Sequence, residues 1–171
     1  MDATHYRAIM RHQAGAVAVI ACGPVGARAG LTATAVASLS DAPPMLLVCV
    51  NRAAGAHDVI VKAGAFSVNL LSAEQQGVAE TFSGKGGLKG EDRFSGLIWR
   101  QLATGSPILD DALASLDCTL AEQHTFTTHS IFIGKVEDGR FCAKTNPLLY
   151  FRGDYWDVAL GIGGLGQIGK G

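Results

Sequence analysis

The feature that most constrains this chain is a succession of short apolar runs, each closed by glycine, proline or asparagine, with no long helical stretch between them. Residues 16–22 are rich in alanine and valine and end at the turn Gly23-Pro24-Val25-Gly26. Residues 45–50 follow Asp41-Ala42-Pro43-Pro44, are apolar throughout and read as a strand buried on both faces. Residues 66–71 form a further strand, and 112–123 and 129–136 two long ones. Glu137-Asp138-Gly139-Arg140 is expected to turn the chain into a strand over 141–144, and residues 147–151 are the last clear element. A parallel sheet needs crossover helices that this pattern lacks. The expected fold class is therefore mainly β, an antiparallel barrel with a few packed α-helices.

The helices are short. Asp2 can cap one that places Tyr6, Ile9, Met10 and Gln13 at helical spacing before Gly15. Residues 57–63 give a turn or two, stopped by Gly64, and Ser72-Ala73-Glu74-Gln75 is a capping box opening a helix to about Thr81. Residues 96–102 are expected to add a short strand.

With 171 residues, 48% of them hydrophobic and 17% charged, the chain can bury a core without disulfides, and some apolar surface is expected to lie between subunits. Residues 1–160 are read as a single domain. A net charge of −1 gives no footprint for nucleic acid. Cys22, Cys49, Cys118 and Cys142 show no metal-like spacing, and the first three lie in apolar runs that fit reduced, buried thiols. No metal site is expected. With no secretory leader and no run long enough for a spanning helix, the expected setting is the cytoplasm, away from membranes. Residues 161–166 match GxGxxG, yet only five residues follow, too few for the helix that motif requires. Residues 161–171 are read as a flexible, glycine-rich tail.

Residues 30–40 carry small side chains and hydroxyls and no charge. Thr32, Thr34 and Ser38 alternate as a half-polar strand would; the same composition also lets a large flat polar ligand approach the backbone. Downstream, Asn51-Arg52-Ala53-Ala54 precedes a helix, a reasonable phosphate site. Residues 82–94 are glycine-rich and carry Lys85, Lys89 and Arg93, but they fail the P-loop spacing, and a plain surface loop is the alternative. His129 opens a strand, where a structural role competes with a functional one. Tyr155 and Trp156 either close the core or flank a planar ring.

In order and spacing, residues 30–44, 82–94, 129–136 and 149–155 together resemble the flavin reductase-like family, which includes reductase components of two-component monooxygenases and related corrin reductases. The resemblance covers about residues 6–155. It implies an FMN-binding split barrel of Greek-key type, a homodimer, and NAD(P)H-dependent reduction of FMN or FAD, with NADH or NADPH as co-substrate.

By the same likeness, Thr34, Ala35 and Ser38 border the isoalloxazine and ribityl chain, and Ser40, Asn51, Arg52 and Ala54 approach the ribityl and phosphate. Lys89 and Arg93 lie near the phosphate end or the adenylate, and His129 and Tyr155 stand on the nicotinamide side. Many relatives carry Gly-Asp-His where this chain has Thr127-Thr128-His129, so only the histidine is carried over. No nucleophile or acid–base residue is expected, because hydride transfer is the flavin's own chemistry. Delivery of reduced flavin to a partner monooxygenase is the leading expectation. A corrin reductase with bound flavin and a non-catalytic flavin-binding protein are the alternatives.

Overall fold

The computed structural model describes residues 1–142 and 145–158. Helix α1 (Ala3–Met10) is followed by β1 (Gly15–Ala16), β2 (Ala18–Cys22), β3 (Ala29–Ala33), β4 (Val36–Asp41) and β5 (Pro44–Asn51). Next come α2 (Gly55–Ala63), β6 (Ala65–Leu70), a 3₁₀ turn (Ala73–Gln75) and α3 (Gln76–Ser83). A second 3₁₀ turn (Gly90–Phe94) precedes β7 (Trp99–Arg100), β8 (Ile108–Leu109), β9 (Ala114–Thr125), β10 (His129–Phe141), β11 (Leu148–Phe151) and β12 (Asp154–Asp157).

Seven strands form one antiparallel sheet in the order β3-β2-β6-β9-β10-β5-β4. Laid flat, its edges would stand about 29 Å apart, at roughly 4.8 Å per strand gap. Yet the two edge strands are consecutive in the chain, and Thr34 and Ala35 alone join them, a reach of about 11 Å at most. The sheet therefore rolls into a barrel, split along the seam between β3 and β4.

Burial follows from that closure. β2 is buried on both faces, and its side chains alternate between two cores. Ala18, Ile20 and Cys22 point into the barrel with Val48, Phe66 and Phe132. Val19 and Ala21 point outward against Phe82, Phe94 and Leu109, under a cover made by α3 and the second 3₁₀ turn. Each such aliphatic side chain contributes about 1.5–3 kcal/mol when fully buried. Burial pushes the thiols of Cys22 and Cys118 up to about 12, which keeps both neutral and unreactive.

Several sequence expectations need correction. Residues 30–40 are two strands with a corner between them. β5 buries one face only: Leu46, Val48 and Val50 are buried, while Met45, Leu47 and Cys49 are half-buried, because nothing covers the outer side of the barrel there. Residues 137–140 make no hairpin, since β10 runs straight through them and absorbs the irregularity as a shift of register against β9 between Val136 and Asp138. Beyond residue 151 a further strand, β12, turns back on β11 through Arg152-Gly153, with Arg152 at φ 54° and Gly153 at φ 90°. Asp2 caps α1 as expected, accepting from the amides of Thr4 and His5 at 2.9 Å, but α1 ends at Met10 and buries none of its residues. The tail over 161–171 lies outside the described residues.

Gly134 shows how tightly the barrel interior is filled. A Cβ there would stand 2.6 Å from Phe66 Cζ and 2.9 Å from Cys118 Cβ, neither of which can move away cheaply. Gly134→Ala is expected to lose about 1–3 kcal/mol through overpacking. Urea unfolding followed by circular dichroism checks this, and an unchanged midpoint would mean the core has slack that the coordinates do not show.

Candidate functional site

The loop after β5 is built by its own side chains. Asn51 Oδ1 accepts from the Ala53 amide at 2.9 Å, and the Ala54 amide donates to the Asn51 carbonyl at 3.0 Å, an Asx turn. Across the sheet Asn51 pairs with His129, the first residue of β10. The Arg52 amide donates to the Thr128 carbonyl at 2.9 Å, and its guanidinium reaches the Thr127 carbonyl at 3.3 Å. The turn and the β9–β10 hairpin are therefore one piece. The turn delivers the chain to α2, whose N-cap, Ala54, makes no side-chain hydrogen bond. The His57 amide turns back to the Ala54 carbonyl at 3.0 Å, so the amides of Gly55 and Ala56 and the positive end of the dipole are left for another acceptor.

The start of α2 borders a cavity of about 530 Å³ that is lined by Ala53, Gly55, Gly30, Lys89 and Arg93. Glu91 also lines it, but its carboxylate is taken up by Arg28, accepting from the backbone amide at 2.8 Å and from Nε at 2.7 Å. That pairing holds the Glu91 carboxyl below the usual carboxylate range. The Arg28 guanidinium lies over the Phe94 ring, 4.6 Å from its centroid. Arg93 is likewise engaged: Nε donates to the Leu88 carbonyl at 2.8 Å, and Nη1 donates to the carbonyls of Gly30 and Phe82 at 3.1 Å each. Lys89 is different, with no hydrogen bond or ion pair of its side chain among the described residues.

On the other side of the turn stands the Thr34-Ala35 corner. The Ala35 carbonyl accepts from the Cys49 amide at 3.0 Å, two residues before Asn51, so corner and turn lie at the same end of the sheet. Thr34 borders a cavity of about 230 Å³ together with Thr32, Ser83, Tyr150 and Tyr155. The Thr32 hydroxyl is already committed, donating to the Ala79 carbonyl at 2.7 Å. Tyr150 and Tyr155 meet edge to face at 5.5 Å. Burial first, then the Glu80 carboxylate, raises the Tyr155 phenol above its ordinary range and keeps it a hydrogen-bond donor.

The structure thus gathers Thr34, Ala35, Asn51, Arg52, Ala54 and His129 at one end of the barrel. Lys89 and Arg93 stand across the α2 N-terminus, and Tyr155 beside the corner. It does not bring Ser40 to Asn51. Ser38 and Ser40 pair with Leu46 and Met45, at the far end of β5, about 20 Å along the strand from Asn51, and they line a cavity of about 650 Å³ that reaches back along β4 to Thr34 at the corner. The sequence reading of backbone donors at a helix N-terminus after Asn51-Arg52 falls two residues earlier in the structure, since α2 starts at Gly55. No sequence signal points to His57, which is buried and reaches Ser130, a partner 73 residues away that no spacing rule connects to it. Among the described residues no cluster could hold a metal ion, and no helix is long and apolar enough to cross a membrane.

Residues 10–159 match the flavin reductase like domain. The chain belongs to the flavin reductase-like family. One relative in this family is the FMN reductase (NADH) RutF of Methylorubrum populi, 41% identical over 150 residues, which are 88% of this chain and 73% of that one. The flavin reductase component of a bacterial two-component tryptophan halogenase, BorF, superposes with a TM-score of 0.84 at 30% identity, covering 91% of this chain and 98% of the other. The NADH:FAD oxidoreductase SgcE6 of Streptomyces globisporus, solved in complex with NAD and FAD fragments, superposes with a TM-score of 0.82 at 26% identity, covering 91% and 92%. The rolled seven-stranded sheet is the split barrel of this flavin reductase-like family.

The two cations at the cavity have opposite relations to the fold. Arg93→Ala strands three backbone carbonyls and is expected to cost about 1–3 kcal/mol, whereas Lys89→Ala leaves stability within about 0.5 kcal/mol of the parent. Thermal unfolding of the two variants side by side makes the comparison; equal losses would refute the division.

Proposed function

We propose that this chain is an NADH-dependent flavin reductase that passes a hydride from NADH to FMN or FAD, and that it releases the reduced flavin to a partner monooxygenase. The observation that carries the reading is the meeting of an uncapped α2 N-terminus, the Asn51-Arg52 turn and Lys89, whose ammonium has no partner among the described residues, at one end of a barrel in this family. Those residues fit a phosphate-bearing flavin, because amides, a helix dipole and an ammonium are what a phosphate dianion needs. The name of the relative in Methylorubrum populi supports FMN and NADH.

Flavin bound here supplies the hydride-accepting chemistry through its own ring system. The protein's part is placement. The α2 amides, Arg52 and Lys89 hold the phosphate, and Ala54 leaves room beside the ribityl chain. The backbone at Thr34 and Ala35 lines the ring edge and stabilises negative charge that builds there on reduction. His129, exposed beside Asn51, orients the nicotinamide, and Tyr155 closes the side of the site next to Thr34. Arg93 acts by holding the loop that carries Lys89, and Ser38 and Ser40 contribute through the second cavity along β4. The protein works as a cytoplasmic homodimer of one-domain subunits. Tyr6, Ile9 and Met10 of α1 and Leu39 on edge strand β4 support this assembly, since all four are exposed apolar side chains.

Mixing the protein with NADH and FMN is expected to consume NADH, read as loss of its near-ultraviolet absorbance. No turnover with NADH or NADPH, and with FMN or FAD, would leave only a flavin-binding protein. His129→Ala is expected to raise KM for NADH about fivefold to tenfold, one hydrogen bond's worth, with less effect on flavin affinity. Lys89→Ala is expected to raise KM for FMN by about tenfold and to leave riboflavin, which has no phosphate, unchanged. Equal effects on the two flavins would move the phosphate elsewhere.

A further inference from the structure

His57 lies in the first turn of α2 and is 7% exposed. Its Nδ1 is 2.8 Å from Asp58 Oδ1, and its Nε2 is 2.9 Å from the hydroxyl of Ser130, itself fully buried. The ring rests against Phe132 at 5.2 Å. The Ser130 hydroxyl is also 3.2 Å from Thr125 Oγ1 and 3.5 Å from Gln123 Nε2.

The chemistry of the groups orders these protons. A carboxylate only accepts, so Nδ1 carries the hydrogen, and in the neutral imidazole Nε2 is then the acceptor. Ser130 then donates its one proton to Nε2 and accepts from Thr125 and Gln123. Every member of the chain is satisfied in one direction, from the β9–β10 hairpin through Ser130 and His57 to Asp58. A Ser-His-Asp sequence invites a nucleophilic reading, but Ser130 is sealed from solvent and has no path to a substrate. The network instead joins two pieces of the site. His57 stands two residues beyond Gly55, which lines the cavity of Lys89, and Ser130 directly follows His129.

We propose that His57 is a positioning residue for flavin reduction. Through Ser130 it fixes the separation between the α2 N-terminus, which holds the flavin phosphate, and His129, which orients the nicotinamide. This role rests on the flavin reductase reading above. Backbone pairing already joins Asn51 to His129 and Arg52 to Thr127 and Thr128, so those contacts set the turn against the hairpin. Between the helix and the hairpin, apolar packing of Ala56, Ile60 and the His57 ring with Phe132 is non-directional, and the bond from His57 to Ser130 adds the directional tie. Hydride transfer requires donor and acceptor atoms within near-contact distance, and a displacement of about 1 Å from outside the reacting atoms can cost up to about 100-fold in rate.

The test is a double-mutant cycle of His57→Gln and Ser130→Ala in the full chain, with steady-state NADH oxidation by FMN and FMN binding followed by flavin fluorescence. Each single variant is expected to lower kcat about tenfold while the Kd for FMN changes less than about threefold, and the double variant is expected to lose no more than the worse single one. Ser130→Ala removes one oxygen atom from a strand and carries the test alone if His57→Gln does not fold. Variants that lose stability yet keep kcat within about twofold of the parent would reduce the contact to core packing and overturn the proposal. Losses that multiply in the double variant would overturn it too, since the two residues would then act separately. A parent protein that consumes no NADH with FMN would defeat the flavin reductase reading itself, a result distinct from either.

Discussion

The Thr34-Ala35 corner is the constraint on which the rest of the structure depends. A chain segment reaching about 11 Å cannot span the edges of a flat seven-stranded sheet, so the sheet must roll. Rolling places β2 between two cores and explains why all of its residues are buried, although its sequence is composed of ordinary small aliphatics. It also sets the corner beside the end of β5, through the bond from the Cys49 amide to the Ala35 carbonyl. Small side chains are needed at that corner because a barrel seam and a candidate ligand surface coincide there.

Charge is divided between holding and binding. Arg28 and Glu91 neutralise each other, and Arg93 spends its guanidinium on backbone carbonyls, so that the loop over residues 84–94 is fastened to β3. Lys89 rises from that fastened loop without a partner among the described residues. A cation on a fixed support next to uncapped helix amides is preorganised for an anion, and little ordering remains to be done when one binds. The closeness of Gly30 to Phe82 belongs to the same design: a Cβ at Gly30 would come within 2.7 Å of the ring and push β3 away from α3.

Much of the architecture was legible in the chain. The apolar runs located β2, β5, β6, β9 and the start of β10, and Asp2 capped its helix, because these depend on local spacing and turn chemistry. Residues 137–140 misled because Asp-Gly is a strong hairpin signal locally, whereas pairing along β9 kept that strand going. The small β7–β8 pair was only half visible, since each strand has two residues. At the candidate site, Asn51, Arg52, Lys89 and His129 were named from residue type and order. Arg93 was legible as a cation but not as a clamp, and Ser40 was placed with Asn51 although β5 separates them along its length. The strand read over residues 45–50 already lies between Ser40 and Asn51; the family likeness, not the spacing, put the two together. Sequence order could not reveal His57 with Ser130, a contact made only once the hairpin folds over α2.

On the reading proposed above, one end of the barrel, between the Thr34-Ala35 corner and the α2 N-terminus, holds a phosphorylated flavin. A crystal structure of the protein with FMN tests this most directly. The phosphate is expected within hydrogen-bond distance of the Gly55 amide and facing Lys89, with the ring edge along Thr34 and Ala35. A phosphate in the cavity lined by Ser38 and Ser40, with the α2 amides left unoccupied, would contradict it.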